Sequence, residues 1–156
     1  MTRGVFMERE GYMKEALALA AQCLATVDVP VGWVVVSPDG AIIGRGRNRR
    51  EECRDAAAHA EMEAIGQACG HMGSWRLTGC ALYVTLEPCP MCAGAILNAR
   101  ISEVWYGARE EKTGCCGSVI NLFAEGFPYK AAIRGGLLEE ESKKLLQEFF
   151  RRRREI

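Results

Sequence analysis

Two short segments of the chain contain the side chains best suited to chemistry. One is His59-Ala60-Glu61, and the other is Glu87-Pro88-Cys89-Pro90-Met91-Cys92. Imidazole nitrogen and thiolate sulfur are preferred ligands of Zn²⁺, and the Cys-x-x-Cys spacing places two thiolates within one helical turn. His59, Cys89 and Cys92 therefore predict one zinc ion per chain, with a fourth coordination position left open for water.

Glu61 follows the predicted histidine ligand by two residues, so it is expected close to the metal without being a ligand. Zinc lowers the pKa of a bound water to roughly 7, and a neighbouring carboxylate can accept that proton and pass protons to a ring nitrogen and a leaving amine. His-x-Glu followed by Pro-Cys-x-x-Cys is the signature of the zinc deaminases of nucleobases. The two segments predict hydrolytic deamination of an aromatic amidine such as adenine, cytosine or guanine, with Glu61 as the catalytic residue.

Each segment taken alone also has a structural explanation. A single Cys-x-x-Cys can be redox-active or structural, and a histidine at a helix start is commonly just a satisfied polar group. A structural zinc normally has four protein ligands, and His71 and Cys80 lack the spacing to supply the fourth. A non-catalytic module that only binds zinc or RNA is a further alternative. It would not need a proton acceptor at Glu61, so it is disfavoured.

Helices are expected to position both groups of ligands. Apolar spacing predicts a helix over residues 57–69, with Asp55 as its cap, and another over residues 88–99 that has Pro in its first turn. Both ligand groups then lie where these helices begin. The partial positive charge of a helix N-terminus lowers the pKa of a thiol, which favours the thiolate that binds metal.

The rest of the chain alternates predicted strands with predicted helices. Apolar periodicity predicts helices over residues 10–27 and 139–153, with Met13, Leu17, Ala20, Leu24 and Val27 as the buried stripe of the first. Residues 45–54 are expected to form a basic loop, and residues 112–121 remain undecided. The alternation predicts an α/β fold, a three-layer α-β-α sandwich with helices on both faces of one sheet. The predicted strands cover residues 31–36, 41–46, 80–86 and 102–107, and a turn at residues 37–40 joins the first two.

Composition limits the classes of protein that this chain can represent. The 156 residues are 49% hydrophobic and 26% charged, which excludes disordered, collagen-like and coiled-coil proteins and predicts one domain spanning residues 1–156. The 20 basic residues equal the 20 acidic residues. Net charge therefore does not attract the chain to nucleic acid or to acidic membranes, and any RNA contact must come from a local patch.

Eight cysteines would suggest disulfide bonds in a small secreted protein. The first residues, however, lack the apolar stretch of a signal peptide, and no apolar run is long enough to span a bilayer. We therefore expect a cytoplasmic protein without membrane contact. In that setting Cys89 and Cys92 are metal ligands, and the other six cysteines are reduced thiols.

Two clusters of arginine are candidates for phosphate contacts. One lies between Arg45 and Arg54, and the other is the tail from Arg151 to Arg154. The alternative is a solvated surface and a frayed helix end. Four aromatic residues are expected in the core, although one of the two phenylalanines could border the pocket: Trp75, Trp105, Phe149 and Phe150.

The motifs resemble those of the cytidine deaminase-like superfamily and, within it, the bacterial tRNA wobble adenosine deaminases. This resemblance implies a cytidine deaminase-like fold with a central mixed sheet, a homodimer with substrate contacts near its seam, and the ligand and proton-transfer roles given above. It also implies that Asn48 hydrogen-bonds the target nucleoside, that Ala60 offers a backbone group to the base, and that Val31 packs against the base. The segments that carry it are residues 29–32, 48–49, 82–89, 91–94, 106–109, 112–114 and 149–151.

Three positions depart from the family pattern. Asp55-Ala56-Ala57 stands where the family has Asp-Pro-Thr, Trp33 replaces a small residue, and Phe127-Pro128-Tyr129 replaces Phe-Asn-His. Trp33 is expected to pack in the hydrophobic core. The alternative is that its side chain narrows or refills the substrate pocket. These departures fall where the substrate is recognised, so two partners stay open: a tRNA anticodon loop, or a free base or small nucleoside such as guanine or cytosine.

Overall fold

The computed structural model describes residues 7–154. Within this range no helix combines the length and the apolar character needed to cross a bilayer. All eight cysteines are free thiols. The described chain forms α1 (Arg9–Gln22), β1 (Gly32–Val36), β2 (Ile42–Arg47), α2 (Arg50–Cys53), α3 (Ala60–Met72), β3 (Ala81–Leu86), α4 (Pro90–Ala99), β4 (Glu103–Ala108), β5 (Ala132–Arg134) and α5 (Glu139–Arg154).

The strands form one mixed sheet in the order β2-β1-β3-β4-β5. β1 is antiparallel to both β2 and β3, whereas β3, β4 and β5 run parallel. Helices α1 and α5 pack on one face of the sheet, and α3 and α4 cover the other. The predicted three-layer α-β-α sandwich is confirmed.

Strand β1 lies inside the sheet, and its side chains pack into the hydrophobic core on both faces of the sheet. Trp33 and Val35 join the cluster under α3 and α4, while Val34 and Val36 join the cluster under α1. Because successive side chains of a strand point to opposite faces, a continuous apolar run is what a strand covered on both sides requires.

Helix α3 approaches β2 so closely that only glycine fits beneath it. A Cβ atom at Gly44 would overlap the carbonyl oxygen of Ala64, and one at Gly46 would overlap that of Ala60. The close contact at Ala60 fixes the start of α3 against the sheet. That start carries the first predicted metal ligand.

The region after α1 differs from its prediction. The helix ends at Gln22 instead of continuing to Val27, a short 3₁₀ turn follows over Cys23–Ala25, and Val27 is 60% exposed. The hydroxyl of Thr26 donates to the carbonyl of Cys23 and accepts from the amide of Asp28. These local bonds compete with helical ones, so the chain turns before the predicted end.

Other expectations about the surface and the second half of the chain were wrong. Trp75 is 52% exposed and Phe150 is 49% exposed, although both were expected in the core, whereas Phe149 is buried as expected. Trp105 is only half-buried. A 3₁₀ turn over Leu122–Ala124 and strand β5 were not predicted, because elements of three residues carry too short a periodic signal.

Candidate active site

Three predicted metal ligands meet at one point of the structure. The Nδ1 atom of His59 lies 3.6 Å from Sγ of Cys89 and 3.4 Å from Sγ of Cys92, and the two sulfur atoms are 3.5 Å apart. A tetrahedral zinc with ordinary bond lengths separates such ligand atoms by about 3.5–3.8 Å. The donor set and its spacing therefore fit a zinc ion bound by three protein atoms.

Two helix starts bring these ligands together. His59 is the N-cap of α3, and Cys89 is the N-cap of α4, which has Pro90 at its first position. Proline suits that position because its missing N–H would have no helical partner there. The first turn of α4 also carries Cys92, so the N-terminal ends of two helices converge on the metal position.

Hydrogen bonds among the ligands shift the pKa of each one. Cys89 forms side-chain hydrogen bonds with Cys92 and with His59. These two hydrogen bonds lower the pKa of Cys89 to about 4. The bond with Cys89 and burial raise the pKa of Cys92, and the bond with Cys89 raises that of His59. The cluster thus already stabilises a thiolate at Cys89, which is the form that binds zinc.

Glu61 lies in the first turn of α3, directly beside the ligand cluster. It is 5% exposed, and burial raises the pKa of its carboxyl to about 7. The carboxylate is within hydrogen-bonding reach of Cys92 and interacts electrostatically with His59. A buried carboxyl with a pKa near neutrality can both accept and return a proton.

A cavity of about 160 Å³ opens over this cluster. Val31 and Asn48 line it, as does Glu61, so three of the residues predicted to serve substrate or catalysis face one space. Ala60 is buried in the first turn of α3 and contributes no side chain to the wall. The lining residues are Val29, Val31, Asn48, Arg50, His59, Glu61, Leu86, Glu87, Cys89, Glu110 and Thr113.

The side chain of Asn48 is held in a defined orientation. Its Nδ2 donates to the carbonyl of Val29 at 3.2 Å, and its Oδ1 accepts from the amide of Arg50 at 3.5 Å. Its own amide donates to the carbonyl of Val31 at 2.9 Å. An amide fixed in this way can present hydrogen-bonding groups to a ligand without losing rotamer freedom on binding.

The match to a known family decides what kind of site this is. The sequence profile of the cytidine and deoxycytidylate deaminase zinc-binding region matches residues 7–108 of the chain. The chain belongs to this deaminase family. The zinc requirement predicted from the three ligands is thereby confirmed as a property of the family, and the three side chains of this deaminase are suited to hold the ion.

The deaminase has relatives among tRNA adenosine deaminases and guanine deaminases. It is 47% identical over 143 residues to a tRNA-specific adenosine deaminase of Bacillus subtilis, covering 91% of this chain and 88% of the relative. A structure from studies of A-to-I editing by tRNA:A34 deaminases has a TM-score of 0.84 at 42% identity, covering 88% of this chain and all of that one. The structure of a guanine deaminase from Nitrosomonas europaea has a TM-score of 0.81 at 25% identity, covering 93% of this chain and 86% of that one.

Sequence reasoning assigned no role to two buried carboxylates of the deaminase. Asp28, at 1% exposure, accepts from the amides of Glu51 and Glu52 at 2.7 and 3.2 Å, and so caps α2 from outside the helix. Glu87, at 2% exposure, accepts several hydrogen bonds from the segment after β4. Each is an acidic residue inside an apolar segment, which is the one signal that could have identified it.

The departures from the family pattern lie away from the cavity wall. Trp33 is fully buried in the core, as expected, and does not line the cavity. Phe127 is 44% exposed, and the ring of Tyr129 lies 3.4 Å from the guanidinium of Arg100. Neither aromatic residue belongs to the cavity lining. None of these side chains therefore changes the shape of the cavity by direct contact.

Proposed function

We propose that this protein is a zinc-dependent hydrolytic deaminase that converts adenosine to inosine at the wobble position of a tRNA anticodon. Residues 1–156 would form a single deaminase domain. The family match supports the deaminase chemistry, and the tRNA-specific relatives at 44–47% identity support the substrate.

His59, Cys89 and Cys92 would hold the zinc ion. When bound, zinc supplies the Lewis acidity that brings the pKa of a water molecule down to about 7. Glu61 would accept one proton of the attacking water and pass it to the ring nitrogen, and would then accept the proton of the hydroxyl group added to the base and pass it to the amino group, which leaves as ammonia. Asn48 would hydrogen-bond the nucleoside, Val31 would pack against the base, and the backbone of Ala60 would contact it.

The observation that favours RNA over a free base is a surface that leads from the cavity to the basic tail. Val29, Asn48 and Arg50 line both the metal-side cavity and a neighbouring groove that also includes Arg153. Arg153 in turn lines a wider groove beside Phe150. A free base would fill only the inner cavity, whereas a nucleotide chain needs a charged path with an aromatic surface beside it.

The arginines along this path differ in their available charge. Arg47 and Arg49 form ion pairs with Glu52 at 2.9 and 3.4 Å. Arg50 and Arg153, by contrast, have no ion pair within residues 7–154. Arg47 and Arg49 in the first arginine cluster, and Arg151 and Arg152 in the tail, are thus partly neutralised, the last two by Glu148. The phosphate contacts of this proposal are therefore assigned to Arg50 and Arg153.

We also propose that the enzyme is a homodimer in the cytoplasm. Two apolar side chains on the segment after β4, Val119 and Ile120, are 55% and 48% exposed, which supports a covering partner. Eight free thiols are typical of a reducing compartment. Light scattering of the purified protein tests the first point: a mass of one chain would contradict the homodimer.

A substrate panel tests the proposed reaction. Ammonia release is measured from a tRNA anticodon stem-loop with adenosine at position 34, the same stem-loop with guanosine there, free adenosine, guanine and cytidine. We expect turnover of the adenosine stem-loop alone, with inosine identified by nuclease digestion and mass spectrometry. Turnover of small molecules without turnover of the stem-loop would contradict the tRNA substrate.

Deamination of a free base such as guanine is the second candidate function. It is supported by the structural similarity to a guanine deaminase and by the small volume of the inner cavity. Guanine turnover in the same panel, insensitive to added stem-loop, would favour it. Competition by the stem-loop would instead favour the first candidate.

A further inference from the structure

The buried carboxylate of Glu87 connects the turn that contains Cys89 to one wall of the cavity. Oε1 of Glu87 accepts from the amide of Glu110 at 3.2 Å, and Oε2 accepts from the amides of Cys116 and Ser118 at 2.9 and 3.1 Å. The hydroxyl of Ser118 donates a further short hydrogen bond to Oε1. Within the described part of the chain Glu87 has no ion-pair partner, so backbone and hydroxyl donors alone satisfy it.

The segment that these bonds hold, residues 110–118, forms one side of the cavity. Glu110 and Thr113 line the cavity together with Val29, Val31 and Asn48. The segment contains almost no regular structure, with one isolated bridge at Cys116. Turn hydrogen bonds within it, such as that from the amide of Gly114 to the carbonyl of Glu110 at 2.8 Å, give it local order, and contacts with other parts of the chain hold it in place.

Two further contacts join the segment to the turn that contains Cys89. The amide of Cys115 donates to the carbonyl of Pro88 at 2.9 Å. Gly114 packs directly on the carboxylate, since a Cβ there would overlap Oε2 of Glu87. The carboxylate thus lies at the centre of the segment and not at its edge.

We propose that Glu87 is a positioning residue that holds residues 110–118 as a fixed wall of the substrate cavity. Four donors from three residues converge on one carboxylate, and hydrogen bonds to a charged acceptor are stronger than those to a neutral one. The same residue immediately precedes the Pro88-Cys89 turn, so the wall keeps a constant distance from the metal ligands. The effect on turnover rests on the proposed function, whereas the effect on the segment does not.

The test replaces Glu87 by glutamine, which keeps the shape of the side chain. One carboxylate oxygen becomes an amino group that faces N–H donors, so about two of the four hydrogen bonds are lost. We expect at least about 10-fold faster hydrogen exchange in residues 110–118, with exchange in β1 and β3 unchanged. Zinc content should stay near one per chain, KM for the stem-loop should rise at least about 5-fold, and kcat should change less than about 2-fold.

Glu103→Gln is the matched control. Glu103 begins β4, at the opposite end of that strand from the segment, and its Oε1 accepts from the indole of Trp105. The same chemical change there should leave exchange in residues 110–118 and KM unchanged. If Glu87→Gln does not fold, Ser118→Ala removes a single donor and should raise exchange in the segment by a smaller factor, about 3-fold.

Two results would overturn the proposal. One is a folded Glu87→Gln variant with unchanged exchange in residues 110–118. The other is loss of zinc from that variant while the segment exchanges normally, which would assign Glu87 to the metal site. Hydrogen exchange needs no substrate, so failure of the wild-type protein to deaminate the stem-loop would count against the proposed function alone.

Discussion

Glu61 is distinguished from Glu63, the other carboxylate of α3, by where its side chain lies. It is buried beside the ligand cluster and also lines the cavity, whereas Glu63, two residues later, interacts with Arg49 at the surface. Burial disfavours the charged carboxylate and raises the pKa of Glu61 to about 7. The two residues provide a matched pair for separating proton transfer from general effects of charge.

Glu61→Gln should lose turnover while keeping its metal. The amide has the size of the carboxyl but cannot accept and return a proton, and removal of a general acid–base group lowers kcat by about 10²–10⁴-fold. Zinc content measured by atomic spectroscopy should remain about one per chain. Glu63→Gln serves as the control and should retain near-normal turnover; near-normal turnover in Glu61→Gln would remove Glu61 from the mechanism.

Thiol reactivity should differ sharply between Cys53 and Cys116. Cys53 is exposed on α2, whereas Cys116 is buried, and burial together with the charge of Glu87 raises the pKa of Cys116 to about 12. The thiolate is the reactive form. Peptide mapping after iodoacetamide treatment of the zinc-loaded protein at pH 8 should find Cys53 modified and Cys116 intact. Equal modification of both cysteines under folded conditions would contradict the described burial.

The short helix α2 depends on a residue that lies 22 positions before it. The carboxylate of Asp28 accepts hydrogen bonds from the amides of Glu51 and Glu52 in the first turn of α2. A helix of one turn is unstable alone because nucleation is costly. The buried carboxylate therefore supplies the missing partners, and it stabilises the segment that presents Arg50 to the cavity.

Asp28→Ala should destabilise the protein through α2. Two buried hydrogen bonds to a charged acceptor are lost, which lowers the free energy of unfolding by about 2–3 kcal/mol and the melting temperature by roughly 4–12 °C. Differential scanning calorimetry measures both quantities. Asp55→Ala is the control, because exposed Asp55 accepts a single amide from Ala57 at 2.9 Å and should cost below about 1 kcal/mol. Equal melting temperatures for the two variants would contradict the capping role.

The active site lies on one face of the sheet, although both faces carry a hydrophobic core. Helices α3 and α4 hold the metal cluster at their N-terminal ends on one face, while α1 and α5 cover the other. The C-terminal end of α5 nevertheless reaches the rim of the cavity, since Arg153 and Asn48 line one groove. A chain with zero net charge thereby places two arginines, Arg50 and Arg153, beside the cavity where the proposed RNA would lie.

Arg153→Ala should weaken binding of the stem-loop and reduce its dependence on salt. Loss of one phosphate contact lowers the slope of log KM against log salt concentration by about 1, and KM should rise at moderate salt while kcat stays within about 2-fold. Lys144→Ala is the control, because Lys144 is exposed on the same helix and lines none of the grooves. An unchanged salt slope in Arg153→Ala would remove the tail from the interface.

Patterns in the amino-acid sequence were enough to predict the fold class, the order of the main elements and the composition of the metal cluster. These properties depend on local patterns: apolar periodicity over ten or more residues, and ligands two or three positions apart. His59, Glu61, Cys89 and Cys92 could be grouped because their two segments together match the zinc deaminase signature, and the structure places both segments at helix starts. The missed elements, α2 and β5, are too short for periodicity to detect.

The way in which distant residues act on one another became visible only in the folded chain. It selected Nδ1 of His59 as the atom facing the thiols, and it joined Glu87 to residues 110–118 and Asp28 to α2. It also placed Phe150 at the surface and Phe149 in the core, although both are adjacent and apolar. Such contacts join residues that are 20 or more positions apart or depend on how a helix is rotated against its neighbours. Neither is encoded in local spacing, because both follow from packing of the whole chain.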